Sequence, residues 1–190
     1  MIPILIAGPA LEPLSLEEVR AWLRLDTNDE DTLVCALVKA ARCAIEQAAR
    51  RALIAQTWRL RLDRWPLDRI LHLPLSPVLS LDAVRVFDAA GTPAALDLKG
   101  FYIDQSYTTR LFCDVAPPAP GRLRGGIEID ITVGYGTQAL AVPEPLRQAM
   151  RMLIAYWFEH RGDALHESSI GHLPPAIAAA VVPYRRARLG

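Results

Sequence analysis

Hydrophobic and polar positions alternate most cleanly between Ile127 and Val133, with Ile127, Ile129, Ile131 and Val133 on one side and Glu128, Asp130 and Thr132 on the other. A period of two is the pattern of a half-buried strand. Gly134-Tyr135-Gly136 ends it, and Val142-Pro143-Glu144-Pro145 opens a helix at the one place where proline forfeits no intrahelical bond. Leu146, Ala149, Met150, Leu153, Ile154, Trp157 and Phe158 then recur as one wide apolar stripe, with Gly162 as the expected left-handed stop. Near the other end, Ser15 and Glu18 have the spacing of a capping box. The short helix they open carries Leu16, Val19, Ala21, Trp22, Leu23 and Leu25 and stops at the polar break Asp26-Thr27-Asn28-Asp29.

A longer helix is predicted from about Asp29 to Arg51. Asp29, Glu30 and Asp31 stand at its positive end and Arg42, Arg50 and Arg51 toward its negative end, as the helix dipole favours. Its buried stripe is expected at Leu33, Leu37, Ala40, Ala41, Ala44, Ile45 and Ala48, and its many alanines imply close approach to other helices. From Thr57 the period changes to two: Trp58, Leu60 and Leu62 alternate with Arg59, Arg61 and Asp63. Val84 and Val86 suggest a further strand, Ala90-Gly91-Thr92 reads as a hairpin turn, and Phe101 to Asp104 and Tyr107 to Cys113 are weaker strands. About five short strands are thus expected between two helical blocks, the second completed by a short helix over Pro175 to Val182.

The expected fold is α+β, a helical bundle built from the N- and C-terminal helices with an inserted antiparallel β-rich module. Its parts are an extended arm over 1–14, a helical core over 15–56 and 137–183, the β module over 57–136 and a tail over 184–190. The arm is apolar, but Pro3, Gly8, Pro9 and Pro13 interrupt it and no basic leader precedes it. It reads as an arm lying on a neighbouring surface, not as a signal peptide or a membrane span.

Composition narrows the function. The 190 residues are 52% hydrophobic, ample for a sizeable core, and 21 basic residues balance 21 acidic ones. A broadly basic surface for wrapping nucleic acid is not expected from that balance. Nearly all the positive charge is arginine, Lys39 and Lys99 being the only lysines. Three cysteines, an odd number, argue against a disulfide framework. Cys35 and Cys43 on the long helix read as small buried hydrophobes.

Three stretches could carry chemistry. His160 to His172 holds three histidines, two carboxylates and two serines, but the histidines are six apart across a glycine break, unlike helical zinc motifs, and no nucleophile elbow is present. A solvated or interface loop is the default reading there. Gly134-Tyr135-Gly136 lacks a phosphate-binding continuation and is a strand-to-helix turn. The tail Tyr184-Arg185-Arg186-Ala187-Arg188-Leu189-Gly190 has three readings: a basic phosphate-binding arm, a solvated end, or a peptide that orders on a partner with Tyr184 as anchor.

The order of motifs is more specific than any one of them. The helix pair is followed by Arg51-Ala52-Leu53-Ile54-Ala55-Gln56-Thr57-Trp58, the β segment, Val133-Gly134-Tyr135-Gly136 and Val142-Pro143-Glu144-Pro145-Leu146-Arg147-Gln148-Ala149. Trp157-Phe158-Glu159-His160-Arg161 and the run from Leu173-Pro174-Pro175 to Pro183-Tyr184-Arg185 complete it. From about Leu14 onward this resembles the head–tail connector (adaptor, head-completion) family of long-tailed bacteriophages and gene transfer agents. Arg50 departs from it, standing where similar sequences often carry a glycine.

The resemblance implies a structural protein with no catalytic residue, cofactor or metal. It implies a homo-oligomeric ring, a dodecamer in the particle, seated beneath the portal protein and meeting a downstream stopper or tail-terminator protein. DNA would pass through the ring without sequence-specific binding, and no membrane is involved. Assembly would take place in the bacterial cytoplasm, and the ring would end in the neck of the particle. On this reading Tyr184, Arg185, Arg186, Arg188 and Leu189 meet the portal. Two alternatives come from other classes. A nucleic-acid-binding module would rest on the first helix pair, although Asp29, Glu30 and Asp31 would face phosphates unfavourably. A metal-dependent hydrolase would rest on the His160–His172 loop.

Overall fold

The computed structural model of the chain describes residues 1–106, 108–160 and 173–185. It is α+β, with four helices and antiparallel sheets among those residues. The chain divides into two compact units: residues 1–10 with 55–135, and residues 11–54 with 136–190.

The first unit holds eight strands among the described residues: β1 (Ile2–Ala7), β2 (Gln56–Leu62), β3 (Ile70–His72), β4 (Val78–Phe87), β5 (Pro93–Ala95), β6 (Phe101–Asp104), β7 (Arg110–Cys113) and β8 (Ile127–Val133). They form a five-stranded sheet in the order β1-β2-β8-β4-β5 and a three-stranded sheet in the order β3-β7-β6, both antiparallel. The alternation in β8 is realised directly. Ile127, Ile129, Ile131 and Val133 are fully buried, and the register sets Ile129 between Leu60 of β2 and Val84 of β4. Leu62, Val78, Val86, Leu71, Leu73, Leu111 and Cys113 complete this unit's core. The hairpin turn at Ala90-Gly91-Thr92 is present, with Gly91 at φ 87° and the Asp88 amide donating to Thr92 O.

Three expectations change here. Residues 1–14 were expected to be an extended arm; β1 is extended, but it pairs along β2 of its own chain. The expected five inserted strands are seven among the described residues, because β3 and β5 have three residues each, too few to show a period. The strand expected over Tyr107 to Cys113 runs from Arg110, and Tyr107 lies outside the described residues.

The second unit holds α1 (Leu16–Leu23), α2 (Asp31–Ala49), α3 (Glu144–Glu159) and α4 (Pro175–Val181). The capping box forms as spaced: Ser15 Oγ accepts from the Glu18 amide, and Glu18 Oε2 accepts from the Ser15 amide. α3 buries Leu146, Ala149, Met150, Leu153 and Ile154, but Trp157 and Phe158 are only half-buried. It ends at Glu159, with Gly162 outside the described residues. α2 buries a face rotated from the one expected, which shares with it Ala41 and Ile45. Val34, Val38, Ala41, Ile45 and Ala49 are buried, whereas Leu33, Leu37, Ala44 and Ala48 are half-buried and Ala40 is exposed. An alanine- and leucine-rich helix offers more than one apolar face, and packing against α3 and α4 selects among them. Cys35 and Cys43 consequently lie on the outer side and are exposed, not buried.

Arg50, which follows α2, adopts the left-handed conformation at φ 55° and ψ 39°. An L side chain is strained there and glycine is not. Arg50→Gly is therefore expected to stabilise the protein by about 0.5–1 kcal/mol. An unchanged or lower denaturant midpoint would contradict that.

Candidate docking surfaces

The tail leaves the helical unit through a tied exit. α4 buries Ile177 and Val181, and the chain then makes a 3₁₀ turn over Val182–Tyr184. Arg51 Nε donates to the Tyr184 carbonyl at 2.7 Å. The backbone of Arg51 follows α2 directly, its amide donating to Glu46 O at 3.2 Å, and the Glu46 side chain braces the same turn. The Leu53 amide donates to Glu46 Oε1, Arg42 Nη1 donates to Glu46 Oε2, and Arg42 Nε donates to Glu12 Oε2 at 2.7 Å. Of the residues expected to meet a partner, Tyr184 is half-buried and Arg185 exposed; Arg186, Arg188 and Leu189 lie outside the described residues. Along the chain Arg51 stands only as a basic residue toward the negative end of the long helix; its bond to Tyr184 joins positions 133 residues apart.

A second cluster joins α1 to α3. Arg147 is 5% exposed; its Nε donates to Pro13 O at 3.1 Å, its Nη1 to Glu144 Oε2 at 2.7 Å and its Nη2 to Glu18 Oε1. Arg151 Nη1 donates to Glu144 Oε1 and to Gln148 Oε1. Burial alone would raise the Glu18 carboxyl, but the Ser15 amide and the Arg147 and Arg151 guanidinium groups outweigh it and hold the carboxyl below its ordinary 4.5. Arg151, then Arg147, do the same for Glu144. A carboxylate depressed by folding adds stability above its unfolded pKa and loses it as pH falls through the folded value. The wild-type helical unit is therefore expected to lose more stability below pH 4.5 than a Glu18→Gln variant does. Parallel denaturant midpoints for the two proteins from pH 6 down to about 3 would refute this.

The polar face of the five-stranded sheet is a cross-strand ladder of charges. Asp130 accepts from Arg59 Nε at 2.7 Å and Nη2 at 2.9 Å, and from Arg85 Nη1 at 2.7 Å. Glu128 lies 3.4 Å from Arg59 and 3.5 Å from Arg61. The Arg59 hydrogen bond, then that of Arg85, overcomes burial and holds Asp130 below its ordinary 3.8. The alternation in β2 and β8 puts arginines and acids on facing polar sides, so this ladder was implicit in the sequence once the register was known.

The remaining candidates resolve as follows. The His160 ring stacks on Tyr156 at 4.5 Å, and its Nδ1 lies 2.7 Å from Tyr156 O; His166 and His172 lie outside the described residues. No cluster of three or more histidine, cysteine, aspartate or glutamate side chains suited to a metal occurs among the described residues. Asp31 at the start of α2 faces Arg20 at 3.6 Å. No helix among the described residues is long and apolar enough to cross a membrane.

The sequence profile of the head completion protein family matches residues 12–187. Solved structures align over the whole chain and 97% of their own. The neck of an empty gene transfer agent particle computed with C6 symmetry has a component with TM-score 0.84 and 29% identity. A component of the virion of a native gene transfer agent particle gives 0.82 and 29%. One from the neck of a native particle computed with C12 symmetry gives 0.77 and 27%. A comparison with curated proteins finds no match.

Proposed function

The chain belongs to the head completion protein family, and on that premise we propose that it is a structural head–tail connector of a tailed phage or gene transfer agent. Copies form an oligomeric ring in the neck, a dodecamer in the particle, beneath the portal protein and above a stopper or tail-terminator protein. The helices form the bundle core of each copy. The ring extends the DNA channel, and a chain with 21 basic and 21 acidic residues suits a wall past which DNA slides. The protein assembles in the bacterial cytoplasm and acts structurally, not as an enzyme. The observation that carries this reading is the agreement, over nearly the whole chain, between the family match and the alignment with neck components.

Within it, the tail is the portal-docking element. Tyr184 serves as the anchor and Arg185, Arg186, Arg188 and Leu189 as the flanking contacts. The tied exit at Arg51 supports this, because it directs the segment from a fixed point and lowers the ordering cost of docking. The nucleic-acid reading is weaker, since Asp31 at the start of α2 would meet phosphates with the wrong sign.

Cryo-electron microscopy of the particle tests the assignment. Ring density below the portal that this chain fits is the expected result. A neck built without this chain would overturn it.

A further inference from the structure

Strand β1 is an exposed edge whose only guards are Pro3 and a register shift between Leu5 and Ala7. All six residues of Ile2–Ala7 are exposed, and Ile-Pro-Ile-Leu-Ile-Ala carries no charge. Ile2 and Ile4 register with Arg61 and Arg59, and Leu5 registers with Trp58 on the opposite side. Ile2 is 66% exposed and Leu5 48%, so neither face of the strand is covered. One side of its backbone pairs with β2, and no strand among the described residues pairs with the other. Pro3 removes a single donor. Beyond Pro3 and the register shift it has neither the charges nor the covering element that usually block an edge, and an uncharged, uncovered edge templates pairing with another chain.

The far side of the same sheet offers a matching edge. β5 covers only Arg85–Phe87 of β4, and the Leu96 amide reaches Val84 O. At the other end, the Gln105 side-chain amide closes both the N–H and the C=O of Val78. Residues 79–83 between them have no strand on that side among the described residues. Direction alternates along β1-β2-β8-β4, so β1 and β4 run antiparallel. Copies set side by side around a rotation axis keep one orientation. A neighbour's β1 laid on residues 79–83 would therefore continue the antiparallel alternation. A cyclic ring needs this kind of contact, between two different surfaces of identical chains.

We infer that β1 is an inter-copy strand, seated in the ring on residues 79–83 of the next copy. This rests on the ring reading above. The register shifts between Val78 and Ser80 and between Leu81 and Ala83 limit the match to a few residues. Such a contact is far smaller than the roughly 1,200 Å² of a stable complex, so β1 stays open in the isolated chain and pairs when the ring places copies together.

The test is disulfide trapping in assembled particles. Ile4→Cys is combined in turn with Leu79→Cys, Leu81→Cys and Ala83→Cys, in a Cys35→Ser, Cys43→Ser background. The expected result is a ladder of linked copies from oxidised particles with at least one pair, and none from the isolated chain. Particles whose neck contains the ring but give no ladder with any pair would overturn the pairing and leave the ring standing; a neck without the chain would overturn both. A second variant, Ile4→Lys with Ile6→Lys, alters only exposed side chains. It is expected to lower the yield of tailed particles at least about tenfold with an unchanged circular dichroism spectrum; an unchanged yield would count against the pairing.

Discussion

A chain lacking residues 184–190 is expected to fold and to fail at joining portal-bearing heads to tails. The last buried side chain before the cut is Val181, and Val182 and Pro183 are exposed. What the truncation removes from the described structure is half-buried Tyr184 with the bond from Arg51 to its carbonyl, and exposed Arg185 with its amide bond to Val182 O. A charge-assisted hydrogen bond contributes about 1.5–3 kcal/mol at most, so the chain stays folded. The assembly side is different. An aromatic anchor with flanking arginines is the usual composition of an interface hot spot, and losing one costs about 2–4 kcal/mol, or roughly a hundredfold in affinity. The measurement is the yield of tailed particles when the truncated chain replaces the full one, alongside its denaturant midpoint. Unimpaired assembly would sink the portal-docking role of the tail. Full-length Tyr184→Ala separates the anchor from the arginines: it should reproduce most of the defect if the ring of Tyr184 carries the contact.

Arg147→Ala is the substitution expected to destabilise the helical unit most among its charged residues. The guanidinium spans Pro13 O, Glu18 and Glu144 from a buried position. Glu18 is already committed to the capping box of α1, so the arginine ties the start of that helix to α3. Truncation leaves the Pro13 carbonyl and a Glu18 oxygen without their donor, and such losses cost about 2–4 kcal/mol. Arg151→Ala is the internal control. Its main partner Glu144 is largely exposed, and it should cost about 1 kcal/mol or less. Denaturant midpoints followed by the fluorescence of Trp22 and Trp157 would rank the two. A larger loss for Arg151→Ala would show that Arg147 is not the tie.

Much of this was legible along the chain. The β8 alternation and the Ser15–Glu18 box appear where the spacing put them, because both signals act over two to four residues. α3 starts at its prolines for the same reason. The family was legible too, from the order of weak motifs. The docking surfaces were less so. The tail stands out by composition as a candidate only, whereas Arg51 beside Tyr184 and Arg147 beside Pro13 and Glu18 join residues more than a hundred positions apart. Nothing local marks such pairs, apart from an arginine set beside an apolar stripe.

By itself, then, the sequence determined the type and order of the four helices and of five of the strands, which residues of β2 and β8 share a face, and where the helices start. These follow from backbone hydrogen bonding and side-chain period. The tertiary structure alone decided which face of α2 goes inside, and with it the exposure of Cys35 and Cys43, since several apolar faces were available and only packing partners choose among them. It also decided that Arg147 is buried, that Arg50 takes a conformation glycine would adopt more easily, and that residues 2–7 form a strand of the sheet. A strand exists only through its neighbour, and the neighbour of β1 begins about fifty residues further along the chain.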